Sequence, residues 1–458
     1  MSACAMRCPS ASLDLGCQAS SGSSFATALS WRDCDKWASA WSRCATPDDQ
    51  EPQEQVSTTA RASDCDVSLR HYPALARFDR LSSEGHFARV GILGECIGGQ
   101  VELNGWQAEE VCQLVAVKRA RSTEEIQNEV GIYCLLSEQQ EVPQYILKMH
   151  LAFELGSDVC LVLEYADGGD LFTVCKGLKR EGSEMPKEVM RWTWQLLQAL
   201  QYLHDLNIGH RDVSLENVLL CHGDVRVMDF GTSVRTHDSS GGLLRYFRTV
   251  GKPYYRSPEC YVPEQAAVDV LPPAGSRPGK VCLACGNCGG QEFLTEVLLP
   301  AAVLPNEACT AKPCGYAVPP VDVFACGVCL FVLATGSPPF RQATLSDPHF
   351  KWLHANGVAK VVETWRAPVA GEALDLLTWM LQPNPARRPT MKECLEHPWL
   401  AGLRSEPVPV RFAEGVRRES TCLEDPWHLP LGFDLLGLPL GPSCSSEPAL
   451  LEVGALTA

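Results

Sequence analysis

The sequence predicts an α+β chain built as a small, sheet-rich lobe followed by a larger helical one. Three observations carry that prediction. Short β-type runs crowd between about residues 88 and 165, helical periodicity takes over after "DGGDLF", and the run "VFACGVCLFVLA" at 323–334 suits a buried central helix.

The elements follow in order. "ARVGILGECIGGQVEL" reads as strand, glycine turn and strand, and "CQLVAVKRA" as a third strand. "STEEIQNEVGIYCLLSEQ" is amphipathic, with Ser122 or Thr123 placed to cap it. "VCLVLEYA", a β-branched run bounded by Gly and Asp, is the next strand. In the larger lobe, "PKEVMRWTWQLLQALQYLHDL" puts Val189, Trp192, Leu196, Leu197, Leu200 and Leu203 on one helical face. "VDVFACGVCLFVLATG" is apolar all round, as a helix buried on every side must be. "GEALDLLTWMLQ" and "TMKECLEHPWL" add two more helices. Residues 1–80 lack any sustained period and are expected to be a disordered N-terminal region. The Pro- and Leu-rich segment 403–458 is expected to be a flexible tail, and the Cys/Pro/Gly-rich insert at about 261–320 has no clear periodicity.

Composition narrows the function classes. A chain of 458 residues with 45% apolar and 21% charged residues reads as soluble and globular. Its net charge of −16 excludes the basic stripe that a nucleic-acid partner requires. The longest apolar run is shorter than the roughly 20 residues of a membrane span, so no membrane span is expected. The first thirty residues lack the apolar core of a secretory signal. An intracellular, cytoplasmic location follows as the expectation, with most of the 23 cysteines reduced and acting as small buried hydrophobes.

Several motifs carry chemistry: "LGECIGGQV", "VAVK", "LVLEYADGGDLF", "GHRDVSLENVLL", "MDFG", "SPE", and the later Asp322 in "VDVFACG" and Arg388 in "PARRPT". Singly, each has a plain structural reading: a hairpin for the glycine loop, a surface lysine for "VAVK", core packing for the apolar positions. In this order they resemble a eukaryotic protein kinase of the serine/threonine type over residues 87–402, with an N-lobe at about 87–165 and a C-lobe at about 166–402.

The resemblance implies a bilobal protein kinase fold. It also implies ATP-dependent transfer of the γ-phosphoryl group to Ser/Thr hydroxyls of protein substrates, with ATP and Mg²⁺ required. Gly94, Gly99 and Val101 match the glycine loop, while Cys96 replaces one glycine and offers an oxidisable thiol. Lys118 would contact phosphates, held by Glu129, or by Glu125 because the span is short. Leu163 would be the gatekeeper, and the backbone of Glu164 and Ala166 would meet adenine, sandwiched by Val101, Ala116 and Leu219. Asp170 would sit near the ribose. Asp212 would be the catalytic base, with Asn217 and Asp229 as Mg²⁺ ligands of the hard-oxygen type. Tyr133, Leu151, His210 and Phe230 fall where the family stacks apolar side chains between the lobes. Glu259 would pair with Arg388, and Asp322 would anchor the central helix. Asp170 and Glu216 suggest substrates with basic residues near the acceptor.

Two positions depart together. The catalytic loop has Ser214 where the family carries lysine, and Lys252 follows Gly251 where it carries threonine. An exchange of the two residues would keep the positive charge near the transferred phosphoryl group while its origin moves. Two independent departures would instead point to impaired activity, or to a pseudokinase serving as a nucleotide-binding or protein-binding scaffold. Tyrosine specificity is disfavoured, because this loop keeps Glu216 before Asn217.

Arg211 before Asp212 marks the kind of kinase whose activation segment is often ordered by a phosphate, with Thr249 the best-placed acceptor and Ser239 and Ser240 as alternatives. In the insert, Cys282, Cys285 and Cys288 with Cys314 offer four thiolates to Zn²⁺, while free thiols in a flexible loop are the favoured reading.

Overall fold

A computed structural model of the chain describes residues 86–412 apart from 97, 109–110, 156, 179–184, 239, 263–266, 275, 287–291 and 301–306. The expected disordered region 1–80 and the tail from 413 onward lie outside the described residues.

The small lobe is built from strands β1 (His86–Cys96), β2 (Gly99–Ala108), β3 (Val111–Arg121), β4 (Glu141–Pro143), β5 (Met149–Leu155) and β6 (Asp158–Glu164). Five of them form one antiparallel sheet in the order β1-β2-β3-β6-β5. Helix α1 (Glu124–Ser137) begins where the sequence offers a cap, and Thr123 is the residue used: its Oγ1 accepts from Ile126 N at 3.3 Å.

Below the sheet come the short helix α2 (Leu171–Gly177) and the 19-residue α3 (Lys187–Asp205). The six residues expected on one face of α3 are all buried. Short strands β7 (Ile208–Gly209), β8 (Val218–Cys221), β9 (Asp224–Val227) and β10 (Val234–Arg235) frame the motifs at 210–217 and 228–231. Strand β10 pairs with β7, and β8 with β9.

The larger lobe is organised around α4 (Val318–Thr335), the helix expected from the apolar run. It is long and apolar enough to cross a membrane, longer than the run itself suggested, yet 89% of it is buried inside the protein. After it come α5 (Pro348–Asn356) and α6 (Val358–Trp365), which the periodicity does not reveal. Helices α7 (Gly371–Met380) and α8 (Met391–Leu395) cover the periods read from sequence. One core of buried side chains runs from Val130 and Tyr133 through Leu196 and Leu200 to Phe331 and Leu377, joining the lobes.

Two segments differ from the sequence expectation. The insert carries four strands, β11 (Val268–Val270), β12 (Gly279–Gly286), β13 (Glu292–Leu299) and β14 (Cys309–Pro313), closed into a barrel. Val268, Val270, Phe293, Val297 and Leu299 give it a core of its own. The tail, in turn, is ordered beyond residue 403: β15 (Val410–Phe412) pairs antiparallel with β4 behind the small lobe.

Candidate active site

Strand β3 points Lys118 into the cleft, where its Nζ lies 2.7 Å from Glu129 Oε2 and 3.9 Å from Asp229 Oδ1. Glu129 is thus the partner; Glu125 pairs instead with Arg248, at 3.5 Å. Burial disfavours the Lys118 ammonium, but Glu129 and Asp229 outweigh it and hold the pKa above the usual lysine value. Burial likewise pushes the Asp229 carboxyl up, and Lys118, His210 and Lys252 outweigh it to hold the group below its ordinary value. Asp229 (φ 66°) and Arg211 (φ 69°) both take left-handed backbone, a strain of about 1–3 kcal/mol each that clusters where side chains must be aimed.

The glycines of the glycine turn differ in what they do. A Cβ on Gly94 would meet nothing within 4 Å, so that side stays open. A Cβ on Gly99 would fall 1.8 Å from Arg119 O, so this glycine is demanded by the neighbouring strand. The left-handed turn residue is Gly98 (φ 74°), which leaves Cys96 on the strand, paired with Gly99. Burial pushes the Cys96 thiol up against the opposing pull of Lys118, which argues against the reactive thiolate that oxidation requires.

Val101, Ala116 and Leu219 pack into the same core beside the cleft, together with Leu163. Glu164, at the end of β6, is fixed through its backbone N–H, which donates to Lys148 O at 2.8 Å. Ala166 is buried two residues on. Asp170 caps α2, its two carboxylate oxygens accepting from Thr173 N at 2.7 Å and Thr173 Oγ1 at 2.8 Å.

The catalytic loop hangs from α4. Asp322, fully buried, accepts from His210 N at 2.8 Å and Arg211 N at 2.9 Å, with His204 Nε2 also 2.9 Å away. Asn217 Nδ2 donates to Asp212 O at 2.8 Å and to Asp212 Oδ2 at 2.9 Å. From the other side comes Lys252. Its backbone N–H donates to Asp212 Oδ1 at 3.0 Å, and its Nζ reaches Ser214 Oγ at 2.7 Å and Asn217 Oδ1 at 3.0 Å. The ammonium stands 3.7 Å from Asp212 Oδ2. Gly251 (φ 83°) makes this approach feasible, since a Cβ there would sit 2.7 Å from Arg211 O. Ser214 and Lys252, distant in sequence, are therefore in direct contact.

The anchors surround this cluster. Arg388 grips Glu259 with two parallel bonds of 2.5 and 2.8 Å. Phe230 stacks edge-on to Tyr133 at 5.0 Å and tilts against His210 at 5.4 Å. Leu151 is not in that stack. A register shift between Met149 and Leu151 turns Leu151 to the outer cluster of Phe87 and Phe153, and Met149 packs on the inner core.

A zinc site in the insert fails on strand geometry. Cys282 and Cys285 lie three apart on β12 and so face opposite sides: Cys285 inside the barrel, Cys282 against the main core. Burial pushes these thiols up to about 11 for Cys285 and about 12 for Cys282. Cys288 lies outside the described residues, and among the described residues no cluster of metal-ligating side chains exists. Thr249 is exposed and donates its hydroxyl to Cys260 O at 3.0 Å. Of its alternatives, Ser239 lies outside the described residues, and Ser240 bonds to Asp238.

A model of the protein kinase domain matches residues 87–270 and 293–400. The chain belongs to the protein kinase family. The stretch left unmatched between those two segments contains β12. Among similar proteins is the CBL-interacting protein kinase 30 of Oryza sativa subsp. japonica, 27% identical over 327 residues, 70% of this chain and 53% of that protein. CBL-interacting serine/threonine-protein kinase 5 of Arabidopsis thaliana is 26% identical over 345 residues, 75% of this chain and 61% of its own. Human NUAK family SNF1-like kinase 2 is 26% identical over 293 residues, covering 63% and 36% respectively. The chain thus spans about half the length of the first of these relatives.

Sequence reasoning missed Arg411. Its guanidinium bonds to Ile146 O and lies 3.2 Å from Glu164 Oε2, while Arg226 Nε takes Glu164 Oε1 at 3.2 Å. The sequence signal was the alternation in "PVPVRF", too short to register as a strand.

Proposed function

We propose that the chain transfers the γ-phosphoryl group of ATP to Ser or Thr hydroxyls of protein substrates, with Asp212 as the base. The observation that carries this reading is the polar cluster of Asp212, Asn217, Ser214 and Lys252, closed around one carboxylate. Asp212 has both oxygens oriented by neighbouring donors, so its remaining lone pairs are aimed at an incoming hydroxyl. The Lys252 ammonium, held by Ser214 and 3.7 Å from Asp212 Oδ2, would balance negative charge on a transferred phosphoryl group. Lys118, kept cationic by Glu129, would hold phosphate oxygens further into the cleft.

The half-exposed Asp229 carboxylate and Asn217 Oδ1 are hard oxygen donors suited to Mg²⁺. Mg²⁺, when bound, would supply neutralisation of phosphate charge. Serine/threonine specificity is supported by the similar proteins that bear that name. Asp170, which keeps free lone pairs beside its bonds to Thr173, and Glu216 are the carboxylates that would favour basic residues near the acceptor.

The test is γ-phosphate transfer to basic peptides bearing Ser, Thr or Tyr, comparing wild type with Asp212→Asn. Transfer to Ser and Thr peptides, reduced about 10²–10⁴-fold in the variant, is expected. Tyr transfer would overturn the specificity, and no transfer by the wild type would favour a binding scaffold.

A further inference from the structure

The activation segment is tied to the insert where another kinase would use a phosphate. We infer that the β11–β14 barrel is a built-in clamp that orders this segment without phosphorylation. This rests on the proposed phosphotransfer for its consequence, though not for its geometry.

A phosphate orders such a segment by supplying negative charge to an arginine. Here the carboxylate comes from the barrel. Arg245 is ion-paired with Glu296 of β13, a side chain only 7% exposed, which also meets Lys280 at 2.9 Å. The next residue is zipped to the link between β14 and α4. Tyr246 and Tyr316 exchange both backbone hydrogen bonds, at 2.9 and 2.8 Å. Tyr316 Oη donates to Arg248 O at 2.5 Å, and Tyr246 Oη donates to Arg235 O at 2.6 Å.

The junction tolerates nothing larger than glycine at position 315. Gly315 has φ +67°, and a Cβ there would lie 2.8 Å from Tyr246 O. Arg211, the residue expected to receive a phosphate, has its guanidinium 5.1 Å from the Tyr246 ring centroid. The aromatic ring held by the clamp thus occupies Arg211's face. Gly251 packs against Arg211 O and Lys252 reaches Ser214 and Asp212, so order at Tyr246 would pass through Arg211 to that cluster.

The experiment uses the full chain, treated with phosphatase and verified by mass spectrometry. Hydrogen exchange of the peptide covering 244–252 and the transfer rate are both read. The clamp predicts that phosphatase-treated protein and Thr249→Ala keep the wild-type rate within about twofold and keep the segment protected. Arg245→Ala should speed exchange and slow transfer roughly tenfold, the scale of losing one charged hydrogen bond. Glu296→Gln should do the same, and the double variant should be no worse than either alone. Gly315→Ala attacks the same junction without touching a charge and should also deprotect the segment. Melting curves on each variant separate loss of the clamp from loss of the fold. Collapse of the rate on phosphatase treatment would overturn the clamp, as would unchanged exchange in Arg245→Ala. If no form transfers phosphate, the functional reading fails while the exchange data still judge the clamp.

Discussion

Two ion pairs a short way apart in this molecule are built on opposite plans. Glu259 and Arg388 are 1% and 0% exposed and meet fork to fork, with Arg388 also donating to three backbone carbonyls. Lys252 and Asp212 keep 35% and 17% of their side chains open and stand 3.7 Å apart, with Lys252 donating to Ser214 Oγ and Asp212 accepting from Asn217 Nδ2. A charge taken wholly out of water must be satisfied by the protein itself, and such a pair has nothing left for a ligand. A charge left partly open keeps bonding capacity for a group that arrives later. In these two pairs the sealed one is suited to holding the fold, and the open one to the phosphate role proposed for it.

The largest effect should come from breaking the sealed pair. Glu259→Gln strands the Arg388 guanidinium without its counter-charge, and the expected loss is about 3–5 kcal/mol of unfolding free energy. Denaturant titration measures it. Adding Arg388→Met should recover part of the loss, because the unpaired charge is gone. If Glu259→Gln is as stable as wild type, this pair does not hold the fold.

The open pair should respond in rate rather than in stability. Lys252→Thr removes the ammonium that Ser214 and Asn217 steady, and transfer should fall about 10²–10³-fold, as for loss of one charge-stabilising donor. Adding Ser214→Lys, which restores the charge from the loop itself, should return part of the rate. Melting temperature should stay close to wild type in both variants. An unchanged rate in Lys252→Thr would remove this lysine from the chemistry.

The same contrast explains how much was legible in the sequence. The cleft residues sit in short motifs whose order carries the family resemblance, so Lys118, Asp212, Asn217 and Asp229 stood out before any geometry. The reciprocal departure at Ser214 and Lys252 was legible too, because each residue type fills the gap the other leaves. The helices of the larger lobe were readable where a long period exists, as in α3 and α4, and not in the short α5 and α6. The barrel escaped because β11 is only three residues long and Gly, Pro and Cys interrupt the alternation of the others. Strand parity decided two outcomes that the motifs do not carry. The register shift before Leu151 turned that side chain outward, and the spacing of Cys282 and Cys285 put two thiols on opposite faces of one strand.

The smallest effect probes a region that mixes both plans. The family match ends at residue 400, yet the chain runs on to β15 and brings Arg411 to the base of the cleft. Arg411 is 21% exposed, between Arg388 and Lys252, while Glu164 at 22% is slightly more open than Asp212. Burial lowers the Arg411 pKa from its usual value while Glu164 opposes the shift, as befits a cation kept by its partner. Glu164 belongs to the segment that the family resemblance sets beside adenine, so Arg411 would position that segment if the chain binds ATP as proposed. Arg411→Ala should raise the KM for ATP a few-fold with kcat unchanged, and lower stability by about 1–3 kcal/mol as a charged hydrogen bond is lost. Arg411→Lys keeps the charge but loses the fork that reaches Glu164 and Ile146 O together, so it should recover only part of the affinity. Equal stability loss in both variants with no change in KM would make β15 a structural strap alone, and Arg411 would then join Arg388 among the charges that only hold the fold.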